Sequence, residues 1–140
     1  MKELGWSTFE QSKRLIEAGL DPETADMFYV NVDECLYSAF PMPNHNNIFK
    51  KQTCDNPCWS LGVLIDLLPK TIETNNPKNL YFKEIFLANN GIAYIACNEH
   101  KEMVFLKMFG TGVEGNEALI DNTVSMICWL LDNNYIKKEK

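Results

Sequence analysis

The chain has 140 residues, of which 46% are hydrophobic and 23% are charged, and its formal net charge is −6. This length suits one hydrophobic core, so we expect residues 1–140 to form a single domain. A composition near that of ordinary folded proteins favours neither a disordered chain nor a membrane protein. The longest apolar runs, such as residues 61–69, fall far short of the roughly 20 residues that cross a bilayer.

Charge and cysteine content restrict the partners and the compartment. Arg14 is the only arginine in an acidic chain, and nucleic-acid readers rely on repeated guanidinium contacts with phosphates, so nucleic-acid binding is disfavoured. The N-terminal residues lack the apolar segment of a signal peptide. Five cysteines, an odd number, indicate reduced thiols rather than a disulfide framework. We therefore expect a cytoplasmic protein.

Capping residues predict two helices near the N-terminus. Thr8 and Gln11 have the spacing of a capping box, and Gly19 is a suitable stop, which predicts a helix over residues 7–19. The Asp-Pro pair at 21–22 predicts a second, short helix. The sequence from 31 to 57 favours no particular element.

Two further segments have the apolar period of a helix. Ser60 can cap a helix that Pro69 ends, and the longest helix is predicted from about Asn116 to Asn133. The apolar stripe of this last helix is Ile120, Val124, Ile127 and Leu131, widened by Leu119, Met126 and Leu130.

Between residues 80 and 109 the apolar pattern becomes that of strands. Asn90-Gly91 separates two runs rich in aromatic and β-branched residues, which is a strong signal for a hairpin with a two-residue turn. With that turn, Phe86 would face Ile95 and both sides of the hairpin would be largely apolar.

A third apolar run, at 102–109, would complete a three-stranded antiparallel meander. The predicted fold is therefore α+β, with N-terminal, central and C-terminal helices packed against this meander. Any apolar face that the helices leave open would need a cover, and a second copy could supply it. This favours a homo-oligomer.

The sequence at 109–119 contains a G-x-G-x-x-G pattern at Gly110, Gly112 and Gly115. In a dinucleotide-binding fold this pattern lies between a strand and a helix, and a further strand must follow. We expect no such strand here, and Glu114 would place negative charge where a phosphate binds. The pattern is better interpreted as a connection between a strand and the last helix, with Asn116 as its cap.

A zinc site is a weaker possibility. Cys54 and Cys58 have the short spacing of zinc ligands, and Cys35 or His45 could add a further ligand. A second closely spaced pair is missing, so no metal and no other cofactor is predicted.

Nucleophilic catalysis would need a thiol or hydroxyl next to a base. The histidines are His45 and His100, both in polar turn sequence, and Cys97 precedes His100 by three residues. Because no recognised catalytic motif accompanies them, we predict that the protein is not an enzyme. A small zinc- or thiol-dependent enzyme stays as an alternative.

Aromatic and asparagine side chains could instead bind a planar ligand. The candidate ligand-binding residues are Trp59, Tyr81, Tyr94 and Asn98. Large aromatic residues more often belong to the core, so the competing interpretation is packing.

Three segments, EQSKRLIEAGLDPETADMFY, PCWSLGVLIDLLP and EALIDNTVSMICWLLDNNYI, resemble a group of small proteins encoded by phages and prophage-like elements of gut bacteria. That group has no assigned activity, so the resemblance transfers no functional residue. It implies a binding protein that acts in the host cytoplasm on a host protein or on a small signalling molecule, as in evasion of host defence. The alternative within this hypothesis is a sequestering protein that traps a nucleotide-like defence signal.

Overall fold

The computed structural model of the protein describes residues 5–29, 42–43, 57–75, 78–86, 90–110 and 118–138. These residues form three α-helices and two antiparallel sheets, which confirms the α+β class. The helices are α1 (Phe9–Ala18), α2 (Leu61–Leu67) and α3 (Leu119–Asp132). The small sheet pairs β1 (Met27–Phe28) with β2 (Met42–Pro43) and β3 (Pro57–Cys58), and the large sheet contains β4 (Thr71–Asn75), β5 (Lys78–Phe86), β6 (Gly91–Cys97) and β7 (Met103–Phe109) in that order.

Helix α1 begins and ends where its capping residues predict. The Thr8 hydroxyl accepts from the Gln11 backbone N–H at 3.1 Å, and the Gln11 side chain accepts from the Thr8 N–H at 2.8 Å. Gly19 ends the helix in the left-handed conformation, with φ of 107°. The short helix predicted after Asp21 is a single 3₁₀ turn, Pro22–Thr24, because β1 begins only three residues later.

The large sheet has four strands, so the prediction of a three-stranded meander was wrong. The additional strand is β4, which pairs antiparallel with β5 and forms one edge of the sheet. Only Ile72 is buried within β4. One buried position is too few to produce a recognisable alternation of apolar and polar residues. This strand is therefore stabilised by its pairing with β5 and has no strand signal of its own in the sequence.

The hairpin between β5 and β6 has a different register from the predicted one. Phe86 pairs with Gly91, and Phe82, not Phe86, pairs with Ile95. Gly91 is therefore a strand residue, and four residues, 87–90, separate the paired ends. Asn90, with φ of 56°, takes the left-handed conformation. Because the register differs by four residues, an even number, every described side chain of β5 and β6 keeps its predicted side of the sheet.

A bulge in β7 changes the direction of its side chains. Tyr94 pairs with Lys107 and Ile95 with Phe105, so Leu106 is an extra residue on β7. Lys107 consequently lies on the same side as the helices, with its ammonium 5.0 Å from the Phe109 ring centre and 5.9 Å from the Trp129 ring centre.

Helix α3 is the centre of the core. It packs against β6 and β7, and α1 and α2 pack against its sides. Its predicted stripe is confirmed, since Val124, Ile127 and Leu131 are fully buried and Ile120 nearly so. The helix begins at Leu119 with Ala118 at the cap position, which makes no side-chain capping bond. The prediction that Asn116 caps this helix was therefore wrong, because the cap position is occupied by Ala118. Asn116 itself lies outside the described residues.

No helix in the described part of the chain is long and apolar enough to cross a membrane. The sequence at 31–56, apart from the two residues of β2, lies outside the described residues.

Candidate binding surface

The two faces of the large sheet differ in what covers them. The inner face packs against the helices through Ile72, Tyr81, Ile92, Tyr94 and Ala96, all of which are buried. We call the opposite side the open face, because no helix of the described residues covers it. Its side chains are Thr71, Glu73, Asn75, Lys78, Leu80, Phe82, Glu84, Phe86, Ala93, Ile95, Cys97, Met103, Phe105 and Met108.

The open face carries large apolar side chains in contact with solvent. Phe82 is 51% exposed, Met103 64%, and Leu80 and Phe105 46% each. Tyr81, the neighbour of Phe82 on the same strand, is only 5% exposed. Since successive strand residues point to opposite faces, β5 places one aromatic residue in the core and the next in water. Contiguous apolar surface of this kind marks interaction sites in folded proteins.

A concavity of about 470 Å³ lies on the open face, lined by residues of β5, β6, the β6–β7 turn and the first residue of β7. Phe82, Phe86, Ile95 and Met103 supply most of its apolar lining. Its volume lies within the range of roughly 300–1,000 Å³ that is typical of ligand sites. The concavity can therefore accept one or two apolar side chains of a partner.

Two oppositely charged side chains, Glu84 and Lys101, also line this concavity. Glu84 lies on β5 opposite Ala93. Lys101 is in the turn after β6 and adopts the left-handed conformation, with φ of 61°. Its backbone N–H donates to the Asn98 carbonyl at 3.0 Å, which closes the turn. The site thus combines an apolar floor with one acid and one base.

Cys97 is the remaining group with chemical reactivity in the concavity. It pairs with Met103 at the end of β6, and its thiol is exposed. His100, the nearest histidine in sequence, lies 3.7 Å from the exposed Glu99 carboxylate. The position of Cys97 on the open face makes it a convenient site for labelling or crosslinking.

None of the four residues predicted to bind a planar ligand lines the concavity. Trp59 is fully buried and donates its indole N–H to Thr24 at 3.0 Å. Tyr94 is fully buried, with its hydroxyl donating to the Pro69 carbonyl at 2.6 Å.

Tyr81 is nearly as buried as these two and belongs to the same core cluster. Asn98, by contrast, is in the β6–β7 turn, where its side-chain oxygen accepts from the N–H groups of His100 and Glu102. The structure therefore brings the three aromatic residues together as core and leaves Asn98 apart. Ligand binding by this set stays a prediction.

Cys58, one of the predicted thiol and zinc candidates, is fully buried beside the N-terminal segment. Its thiol donates to the Ser7 carbonyl at 3.3 Å, and the Ser7 hydroxyl also contacts the sulfur at 3.7 Å. Burial raises the pKa of Cys58 to about 11. Burial likewise raises the pKa of Tyr29, whose hydroxyl donates to the same carbonyl at 2.5 Å. A thiol that stays protonated is a poor nucleophile.

The other proposed zinc ligands, Cys35, His45 and Cys54, lie outside the described residues. Within the residues that are described, no group of three His, Cys, Asp or Glu side chains gathers in a way that could hold a metal ion.

The first glycine of the G-x-G-x-x-G pattern has a structural explanation. Gly110 follows β7 with φ of 79°, and a Cβ atom there would overlap the buried Asn122 amide. That amide donates to the Asn90 carbonyl at 2.7 Å. Gly110 is thus required where the sheet, the β5–β6 turn and α3 meet. Gly112 and Gly115 lie outside the described residues.

The residues of the open face were not predicted as a site, although the signal was present. Alternation along β5 places Phe82, Glu84 and Phe86 on one side of the sheet, and the sequence pattern had already indicated two apolar faces. What the pattern could not decide is which face the helices cover, because both are apolar.

No family model matches the chain, and no curated protein or solved structure matches it. Support for a function therefore comes from the geometry of the chain's own residues.

Proposed function

We propose that the chain is a non-enzymatic binding protein that acts on another protein through the open face. The observation that carries this proposal is the exposure of Leu80, Phe82, Met103 and Phe105 on one continuous sheet surface. Exposed apolar residues reduce solubility, so a surface that keeps four of them together has a use in binding. In line with the resemblance to phage and prophage-like proteins, the proposed partner is a protein of the host cell.

The arrangement of the open face suits protein recognition. Aromatic and methionine side chains provide most of the energy at protein interfaces, and a concavity accepts an anchoring residue of the partner. Glu84 and Lys101 are placed to orient that partner through charge.

The alternatives draw less support from the structure. A trap for a nucleotide-like signal built from the predicted residues would need their aromatic rings to be accessible, whereas Trp59, Tyr81 and Tyr94 are buried. A thiol enzyme using Cys58 would need a thiolate, which burial opposes.

Affinity capture from bacterial extract tests the proposal. The tagged full chain is compared with Phe82→Ser, which removes an open-face anchor, and with the matched control Ile16→Ser, which changes an exposed apolar residue on α1. We expect one or a few proteins that the wild type and the control enrich equally and that Phe82→Ser enriches at least about tenfold less. Equal enrichment by all three chains would contradict binding through the open face.

A further inference from the structure

The described side chains of the open face, taken together with Lys101 of the concavity, include two acids and two bases, although the chain carries a net charge of −6. Glu73 and Lys78 lie 3.9 Å apart on its β4 side. Glu84, on β5, and Lys101, in the β6–β7 turn, line the concavity, and no described residue forms an ion pair with either of them. The face therefore has one acid and one base available for a partner.

This local charge discriminates between kinds of partner. Nucleic acids and anionic membranes select surfaces with an excess of lysine and arginine, and the described side chains of the open face have no such excess. A second copy of the chain presents the same neutral, apolar surface. Two open faces can approach without the repulsion that the net charge of −6 would produce elsewhere on the surface.

We propose that the open face packs against the open face of a second copy, in a two-fold symmetric dimer. In this dimer Glu84 of each copy lies opposite Lys101 of the partner subunit. Every contact in such an interface occurs twice, so the single acid and single base form two ion pairs. The inference rests on the proposed function, because both assign binding to the open face, and it adds a second copy of the chain as an occupant of that face.

The size of the open face is sufficient for a weak dimer. Four strands about 4.8 Å apart and roughly seven residues long at 3.3 Å each give an area on the order of 450 Å². Two such faces bury roughly 900 Å², which lies below the ~1,200 Å² that separates weak, transient interfaces from stable ones. The dimer should therefore dissociate on dilution, which leaves the same face accessible to another protein.

The symmetry also places Cys97 near the dimer axis. If Glu84 and Lys101 meet across the axis, the axis passes between them and through the concavity. Cys97 lines that concavity and is exposed. The Cys97 thiols of the two copies should then lie close enough for a short bis-maleimide to join them.

Sedimentation equilibrium of the full chain measures the dimer directly. We expect Phe82→Ser to raise the dimer Kd at least about tenfold and Ile16→Ser to leave it within about twofold of wild type. Circular dichroism verifies that each variant is folded. A wild-type chain that is monomeric up to about 0.5 mM overturns the proposed dimer.

A charge exchange tests the proposed register and does not depend on removing an apolar residue. Glu84→Lys and Lys101→Glu should each weaken the dimer about tenfold at low salt, and the double exchange should restore the wild-type Kd within about threefold. Failure of the double exchange to restore association overturns the Glu84–Lys101 arrangement.

Crosslinking provides a third, independent measurement. Bis-maleimide should produce a covalent dimer of the Cys35→Ser, Cys54→Ser, Cys128→Ser variant, and adding Cys97→Ser should abolish that product. A covalent dimer that forms equally well without Cys97 contradicts the placement of the axis.

The two proposals fail in different ways. A monomeric chain whose Phe82→Ser variant loses the captured protein overturns the dimer and keeps the proposed function. A dimer whose Phe82→Ser variant dissociates but captures as much protein as the wild type overturns the proposed function and keeps the dimer.

Discussion

Gly110 illustrates how one residue can match a functional motif for a structural reason. Its φ of 79° and the contact with Asn122 exclude a side chain. The Asn122 amide bonds to Asn90, so three segments meet at this residue. Glycine is the residue that adopts this backbone conformation at low cost, and the first glycine of the pattern is thereby explained without a nucleotide.

Replacing Gly110 should destabilise the fold. We expect Gly110→Ala to lower the free energy of unfolding by about 2 kcal/mol or more, because it adds left-handed strain and a clash with a buried amide. The matched control is Gly62→Ala, in α2, where an added Cβ meets nothing within 4 Å. This change should raise the free energy of unfolding by about 0.5–1 kcal/mol, since alanine favours helix. Urea unfolding measures both values, and equal effects of the two substitutions would contradict this explanation of Gly110.

At the scale of elements, the N-terminal segment is joined to β3 and α2 through buried polar groups. Ser7 donates its N–H to the Trp59 carbonyl at 2.8 Å, and its hydroxyl accepts from the Trp59 N–H at 3.0 Å. The same hydroxyl contacts Ser12 of α1 at 2.7 Å. These bonds satisfy polar groups that would otherwise be costly to bury, and Cys58 is enclosed among them.

The burial of Cys58 predicts a loss of stability in alkaline solution. Its pKa rises from 9.0 to about 11 on folding, so the folded state favours the protonated thiol. The contribution of the protonated thiol to the free energy of unfolding is fully present below pH 9. Raising the pH from 9 to 11 removes this contribution and lowers the free energy of unfolding by roughly 2 kcal/mol. Urea unfolding at pH 7.5 and 10.5 should show a smaller alkaline loss for Cys58→Ala than for wild type. Cys97→Ala, which removes an exposed thiol, is the control and should keep the wild-type loss.

For the whole molecule, the main asymmetry is between the two apolar faces of one sheet. The inner face contacts α3 and supplies part of the core, whereas the open face presents Phe82, Met103 and Phe105 to solvent. Stability therefore depends on one face, and binding is proposed for the other.

Adjacent residues of β5 provide a direct test of this division. Tyr81→Ala should cost about 3–5 kcal/mol, because it leaves a cavity in the core, whereas Phe82→Ala should change the stability by less than about 1 kcal/mol. The measurement is chemical unfolding at a concentration where the chain is monomeric. A large loss of stability for Phe82→Ala would indicate that its ring is a core residue and would remove the open face from consideration.

The sequence by itself determined the elements whose signals are local. Capping at Thr8 and Gly19, the apolar stripe of α3 and the side of the sheet to which each residue of β5 and β6 points depend on neighbours within a few residues. Tertiary structure decided the features that depend on contacts between residues far apart in the sequence. It added β4, whose single buried residue carries no local pattern, and set the register that makes Gly91 a strand residue. It also chose which apolar face α3 covers. Tyr81 and Tyr94 became core for that reason, whereas Trp59 is buried between β3 and α2. The candidate site lies on the opposite face of the sheet, because two apolar faces are equivalent in sequence until a helix packs on one of them.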